Sequence, residues 1–268
     1  MSRAPVASDR FYPADPAQLK SEVAYYTSQQ AALERQQVLA VVLPHAGYMY
    51  SGATAGKTLA RVEVPPSVLV LGPNHTGMGA ACALSPDDWR IPGAEIPRNQ
   101  ELAKALLHHS SLVEEDSRAH QREHSIEVLL PFLQYAQPKL RVSALCLGQL
   151  SFAQCHQLAQ DVHQAVQTYG QPTLLVASTD MNHFASREQG SRKDQQAIAR
   201  ILALDAQGLF DTVRTQHISM CGVLPVTVAL LFSLAHGASK AELVHYTDSG
   251  AASGATDQVV GYAGFILS

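Results

Sequence analysis

Three apolar segments of this chain each run directly into a short polar loop that contains a histidine. Segments of this kind, rich in Val and Leu without alternating polar residues, are typical of strands buried on both faces of a parallel sheet. The residues that follow such strands are confined to one edge of the sheet. The segments and their histidines are Gln37–Leu43 with His45, Ser67–Leu71 with His75, and Thr173–Ala177 with His183.

Stretches between these segments predict helices, so strands and helices alternate along the chain. This alternation predicts an α/β fold with a central mixed, largely parallel sheet flanked by helices. A further strand is expected at Arg141–Leu147, and two more, Glu242–Tyr246 and Val259–Leu267, would pair through the glycine-rich connection Ser249–Gly254. The predicted helices are Pro16–Ser28, Ala53–Ala60, Asn99–His108, Ser125–Tyr135, Phe152–Thr168, Glu188–Leu204 and Val223–Ala235.

The carboxyl ends of parallel strands are where such a fold binds its ligands, because the loops converge there while the strands are filled by core. We therefore expect His45, His75 and His183 to share one crevice. Taken singly, a histidine after a strand is usually an ordinary loop or hydrogen-bonding residue. Several potential metal ligands at convergent loop ends are a stronger signal, since a metal site needs them and a core does not.

Cys221 lies directly before the predicted helix Val223–Ala235. Exposed amide groups and the positive end of the helix dipole favour thiolate over thiol there, which would make this cysteine a good metal ligand. With His45 and His75, it completes a candidate mononuclear site. The other cysteines lie in apolar strand-like or helical segments and are expected to be reduced and structural; they are Cys82, Cys146 and Cys155.

Composition excludes several classes of function. The 268 residues are 46% hydrophobic and 16% charged, with a formal net charge of -4, so there is no electrostatic reason to expect a nucleic acid or an anionic membrane as partner. The amino-terminal residues lack the apolar core of a signal peptide, and no apolar run reaches membrane-spanning length. We expect a soluble, cytoplasmic protein.

Motifs along nearly the whole chain resemble those of the Memo family, whose bacterial and archaeal members are often called AmmeMemoRadiSam system protein B. The resemblance implies one Memo-like domain over residues 1–268, similar in fold to class III extradiol dioxygenases. The motifs are FYPADP at Phe11–Pro16, PHAGYMYSG at Pro44–Gly52, GPNH at Gly72–His75, EHSIEVLLPFL at Glu123–Leu133, STDMNHF at Ser178–Phe184, CGVLP at Cys221–Pro225, SGAASG at Ser249–Gly254 and VVGYAG at Val259–Gly264.

The resemblance also implies roles for individual residues. The Memo ligand set, two histidines and a cysteine, falls on His45, His75 and Cys221. Asp180 and His183 match polar residues of the family's pocket, and His183 corresponds to the acid/base histidine of the dioxygenases.

Other residues are expected around the same pocket. Glu123 and His124 could line it, although His124 could equally cap or hydrogen-bond at the start of the helix beginning at Ser125. By hypothesis the substrate is a phenol or catechol, and Tyr48, Tyr50 and Phe184 would supply aromatic walls.

Cys221 stands where the dioxygenases place a carboxylate, and a thiolate is softer and oxidisable, so ring cleavage does not follow from the resemblance alone. Fe(II) is the first choice of metal by analogy of fold, and copper or zinc would also suit the ligands. Three functions stay open: a metal-dependent oxidoreductase acting on a small aromatic or a partner's modified product, a non-catalytic metal- or peptide-binding module, and a zinc hydrolase. The family name implies radical SAM and AMMECR1-like partner proteins.

Overall fold

The apolar segments form the centre of a mixed sheet in the computed structural model, which describes residues 2–28 and 34–268. The strands are β1 (Ser2–Arg3), β2 (Ala40–Leu43), β3 (Ser67–Pro73), β4 (Cys82–Leu84), β5 (Asp88–Ile91), β6 (Ala94–Ile96), β7 (Glu114–Glu115), β8 (Arg141–Leu147), β9 (Thr173–Ser178), β10 (His183–Ala185), β11 (Ala241–Asp248) and β12 (Val259–Leu267).

Helices fill most of the segments between these strands. They are α1 (Pro16–Ser28), α2 (Tyr48–Leu59), α3 (Gln100–His109), α4 (Leu130–Ala136), α5 (Phe152–Tyr169), α6 (Arg187–Leu202), α7 (Ala206–Thr215), α8 (Val223–Ala235) and α9 (Gly250–Ser253). A short 3-10 helix, Glu127–Leu129, leads directly into α4. None of the described helices is both long and apolar enough to cross a membrane.

The main sheet has the strand order β10-β12-β2-β9-β3-β8-β4-β7. Strand β11 lies outside this order and also pairs with β12. The centre of the sheet is parallel: β9 lies between β2 and β3, and β3 pairs with β8. β12 is antiparallel to both β2 and β11, as expected for the carboxyl-terminal strands. The predicted α/β fold with a mixed sheet flanked by helices is confirmed, and its parallel part is the centre, where β2, β9, β3 and β8 lie side by side.

Both faces of the sheet are covered, which explains why its central strands are continuously apolar. Val41 and Val68 point into a core shared with α1, α2 and α4, while their neighbours Val42 and Leu69 point into a core shared with α3, α5 and α8. Side chains along the strands are therefore used for packing. The residues at and beyond the strand ends are the ones left for chemistry.

Two predicted helix starts needed correction, and one helix was missed. The helix expected from Ala53 begins earlier, at Tyr48, so the YMYS stretch is helical. The helix expected from Ser125 begins later, because the Ser125 hydroxyl donates to the Pro73 carbonyl and its amide donates to Glu123. Helix α7 was not predicted, although Asp205 caps it and its apolar residues have helical spacing.

The amino-terminal segment is tied to the loop before α4 by a buried ion pair. Arg3 forms β1 in a separate three-stranded sheet with β5 and β6. Its guanidinium donates to the Glu127 carboxylate, to the His120 carbonyl and to the Glu123 carbonyl, each at 2.6 Å, and lies over the Trp89 ring at 4.3 Å. Three donors of one side chain therefore fix the path of this loop.

The Glu127 carboxylate is fully buried and accepts four groups of the amino-terminal segment. Besides Arg3, it accepts the amides of Val6 and Ala7 at 2.8 to 3.0 Å and the Tyr12 hydroxyl at 2.6 Å. Burial, followed by the charge of Glu127 and the hydrogen bond to it, raises the pKa of Tyr12 well above its usual value, so the phenol keeps its proton.

We predict that Glu127→Gln lowers the free energy of unfolding by about 3 kcal/mol, because it leaves the buried Arg3 guanidinium without a counter-charge. Urea denaturation followed by circular dichroism measures the change. Glu188→Gln is the control: Glu188 is 79% exposed and paired with Arg192 on the surface, so the loss of its charge should cost less than about 0.5 kcal/mol. Equal effects of the two substitutions would contradict a structural role for the buried pair.

Candidate metal centre

Neighbouring strands of the sheet bring the predicted ligands together at their carboxyl ends. His45 follows β2, His75 follows β3, and Ser178 to Asp180 leave β9, which lies between them. Cys221 approaches from the segment before α8. One ligand atom from each of His45, His75 and Cys221 lies within 4.8 Å of the others. The three side chains proposed from sequence therefore form one cluster.

The His45 ring is oriented by a hydroxyl relay. Ser178 donates its hydroxyl proton to the Ser125 carbonyl at 2.6 Å, so its oxygen accepts from the His45 Nδ1–H at 2.7 Å. This leaves the Nε2 lone pair facing the Cys221 Sγ, 3.5 Å away. Burial, with the charge of His75, lowers the pKa of His45 to about 3. The ring is thus a neutral, pre-oriented donor, as metal ligation requires.

A buried carboxylate orients the second histidine. Glu123 accepts the His75 backbone amide at 2.6 Å and its Nδ1 at 2.8 Å, as well as the amides of His124 and Ser125. Burial alone would raise the pKa of Glu123, but the hydrogen bonds and charge of His75 outweigh it and lower the pKa to about 2. With Nδ1 held by this carboxylate, His75 Nε2 is left for a ligand.

Cys221 differs from its predicted protonation state. The position of Cys221 before a helix was expected to favour the thiolate. Burial, and then the charge of Asp180, instead raise the pKa of Cys221 to about 12. The Asp180 amide donates to Sγ at 3.2 Å, and the thiol lies 3.7 Å from the Asp180 carbonyl. Without a metal the thiol form is therefore favoured, and ligation would have to displace its proton.

Gly222 allows Cys221 to lie against the end of β9. A Cβ at this position would lie 2.1 Å from the Ser178 carbonyl oxygen and 2.5 Å from the Thr179 Cβ. The Gly222 amide donates to the Thr179 hydroxyl at 2.9 Å. Glycine is required here by close backbone approach, because any larger residue would push the α8 end, and Cys221 with it, away from the histidines.

Of the two predicted acid/base residues, Asp180 contacts His45 directly, and His183 is held by Ser219 at the start of β10. Asp180 accepts the His45 amide through Oδ1 at 2.8 Å, and its Oδ2 is 4.0 Å from His45 Nε2. Burial raises the pKa of Asp180, against the opposing effect of the His45 amide. His183 donates its amide to the Ser219 hydroxyl and its Nδ1 proton to the Ser219 carbonyl, at 2.7 and 2.8 Å, so its Nε2 is unprotonated in the neutral ring.

His124 packs against the second ligand. Its ring stacks on His75 with centroids 4.9 Å apart, and Phe11 covers it at 4.5 Å. It lies 5.6 Å from the His45 ring, and burial lowers its pKa to about 4. His75, Glu123 and His124 also have donor atoms within 4.8 Å of one another, but Glu123 already orients His75. We assign this second group to the support of the first.

The expected aromatic walls are not assembled as predicted. Tyr48 is wrong as a pocket residue: it is 2% exposed, donates its hydroxyl to the Val128 carbonyl and packs on Phe132 at 4.8 Å. Its place in α2, rather than in a loop, turns the ring into the core. Tyr50 is half-buried in the first turn of α2, and Phe184 is 75% exposed beside His183. These two stay predictions as substrate contacts.

A cavity of about 570 Å³ opens next to His75 and Cys221, and we call it the ligand cavity. The loop after β3, the end of β8 with its following loop, and the first turn of α8 surround it. Its lining residues are Pro73, Asn74, His75, Gly77, Gly79, Ala80, Ala81, Leu147, Gly148, Gln149, Cys221, Val223, Leu224 and Pro225.

The orienting residue Ser178 was not recognised from sequence as functional. A serine at a strand end carries no distinctive signal, and its partners His45 and Ser125 are far away along the chain. Glu123 was noted for the pocket through its motif, but its hold on His75 was not foreseen. The remaining cysteines lie in buried positions, as expected; they are Cys82, Cys146 and Cys155.

Two imidazoles and a cysteine sulfur fit a transition metal, and the hydrogen bond from His75 to Glu123 can be tested by substitution. We predict that Glu123→Gln weakens metal binding about 10- to 100-fold, because the uncharged amide no longer fixes the His75 tautomer or raises its basicity. Competition with a chromophoric chelator measures the affinity. Glu242→Gln on β11, which breaks a partly exposed pair with Arg61, serves as control and should leave affinity unchanged. Equal affinities for all three proteins would contradict the orienting role.

Comparisons with known proteins agree with the motifs. A family model described as Memo-like protein matches residues 3–266. A MEMO1 family protein of Methanopyrus kandleri is 36% identical over 280 residues, covering 100% of this chain and 99% of its own. Another from Archaeoglobus fulgidus is 36% identical over 265 residues, covering 99% of both.

Among solved structures, an uncharacterized protein of Escherichia coli K12 has a TM-score of 0.55 at 15% identity, over 84% of this chain and 99% of that one. At this identity the likeness shows the fold alone. The sequence matches are stronger, because the family model and both relatives extend over almost the full length. On that evidence the chain belongs to the Memo family.

Proposed function

We propose that this protein is a metal-dependent oxidoreductase that holds a non-haem iron through His45, His75 and Cys221 and acts on a small phenolic compound. One observation carries the proposal: both imidazoles are fixed through Nδ1, and a third donor, the Cys221 Sγ, lies with them within 4.8 Å beside the ligand cavity. When bound there, iron would supply a coordination position for a phenolate and an electron source for dioxygen.

His183 and Asp180 would handle protons near this centre. His183 commits Nδ1 to the Ser219 carbonyl, so Nε2 is the atom that can accept a proton from a phenol and later return it. Asp180 uses Oδ1 to accept the His45 amide, so a proton on this buried carboxyl belongs on Oδ2. Asp180 lies in the segment between β9 and β10, and His183 begins β10.

The choice of iron rests on the dioxygenase-like fold, which is an analogy. Two imidazoles and one thiolate also suit copper and zinc, and a thiolate in place of a carboxylate donates more charge to any of these ions. Metal content therefore decides between the candidate functions. The partnership with radical SAM and AMMECR1-like proteins stays a prediction.

The direct test combines metal analysis with turnover. We expect iron in protein purified without added metal, and oxygen uptake with 4-methylcatechol after anaerobic loading with Fe(II). His183→Ala should reduce turnover about 10²- to 10⁴-fold, the usual contribution of a general acid/base, while iron content stays unchanged. His109→Ala serves as the matched control, because His109 bonds Thr168 on the exposed side of α3 and should retain full turnover.

Other outcomes point to the other functions. Bound zinc with oxygen-independent hydrolysis that is lost in Cys221→Ala would favour a hydrolase. Metal binding without turnover on any phenol, together with biological activity that survives His183→Ala, would favour a binding module. Protein that takes up no metal when His45, His75 and Cys221 are intact would overturn the proposal.

A further inference from the structure

We infer that the ligand cavity selects an uncharged aromatic ring: a catechol that carries no carboxylate, sulfonate or phosphate group. The inference rests on the proposed function, since it takes the metal centre as the anchor of the catechol oxygens. It adds a substrate class. The observation behind it is the chemistry of the cavity wall, which holds amide, apolar and backbone groups around His75 and Cys221.

Charge balance at the centre is the first step. Among the atoms that would bind the metal directly, two neutral imidazoles and one thiolate bring a single negative charge to a divalent ion, so the ion and its three donors keep one positive charge. A catechol that binds after losing one proton supplies the charge that cancels it. A second anionic group on the ring would then need a cation of its own, because an unpaired charge in a partly desolvated site is costly.

The cavity wall offers no such cation. No Lys or Arg is found among its lining residues, all of which belong to the described part of the chain. Val223, Leu224 and Pro225 give it an apolar side. The Asn74 carboxamide is used within its own loop, accepting from Thr76 and donating to the Met78 carbonyl. A neutral ring can pack on the apolar side, whereas a ring carboxylate would lose water there without compensation.

Two arginines of this region, Arg118 and Arg3, are already engaged by carboxylates. Arg118 is held by Asp116 at 3.1 Å, its side chain is 69% exposed, and the same carboxylate accepts the Ala80 amide behind the cavity loop. A Cβ on Gly79 would lie 2.8 Å from the Asp116 Oδ2, so this negative group lies close to the loop. Arg3 is buried and paired with Glu127. The carboxylates that accept backbone amides of the cavity loops, Asp116 at Ala80 and Glu123 at His75, are negative and offer an anion no attraction.

The test compares two ligands that differ in one charge. Calorimetric titration of the Fe(II)-loaded full chain under argon, at neutral pH, should show 3,4-dihydroxybenzoate binding at least about tenfold more weakly than 4-methylcatechol. Leu224→Arg places a cation on the cavity wall and should reduce that ratio about tenfold. Leu234→Arg adds the same charge on the exposed side of the same helix and should leave the ratio as in the natural protein.

A second variant guards against misfolding of the first. Gln149→Arg introduces the cation from the loop after β8, at an exposed position of the cavity wall, and should lower the ratio in the same direction. Equal affinities of the natural protein for both ligands would overturn the inference while leaving the proposed function intact. So would an unchanged ratio in both folded arginine variants. Failure of both ligands to bind would instead overturn the proposed function, and the inference with it.

Discussion

The carboxylate of Glu123 is the interaction on which the candidate centre depends most. It accepts the amides of three residues and the Nδ1 of His75, so one buried charge sets both the loop conformation and the ring orientation of a predicted ligand. The backbone carbonyl of Glu123 accepts a hydrogen bond from Arg3, and Arg3 is paired with Glu127. The site is thus braced by an electrostatic network that begins at the third residue of the chain.

Opposing forces act on the two kinds of donor. Burial keeps the His45 ring neutral, which is the form that binds a metal. At Cys221 burial favours the protonated thiol, so a metal must displace the thiol proton before it can bind the sulfur. The expected effect of the helix end on Cys221 was outweighed by partial burial of the thiol and by the charge of Asp180. A positive ion would reverse this balance at Cys221, because the thiolate gains a charge interaction that the thiol lacks.

Sequence predicted the parts of this structure that depend on local patterns. Apolar strands ending at His45 and His75 placed two donors at one sheet edge, because buried parallel strands leave no other position for polar groups. Features that depend on distant contacts were missed. The relay from His45 through Ser178 joins separate elements, and the burial of Tyr48 follows from the early start of α2. Neither the hydrogen bond to Ser178 nor the burial of Tyr48 produces a periodic pattern in the sequence.

Strand order has a consequence for when the centre can form. β9 is inserted between β2 and β3, although it is synthesised long after both, and Cys221 comes later still. A nascent chain that carries both histidines therefore has neither the strand that separates and orients them nor the sulfur donor. Since such long-range parallel pairing is slow to form, a metal that binds the candidate centre would be captured by the folded protein rather than by the growing polypeptide. Metal supply would have to act on released chains.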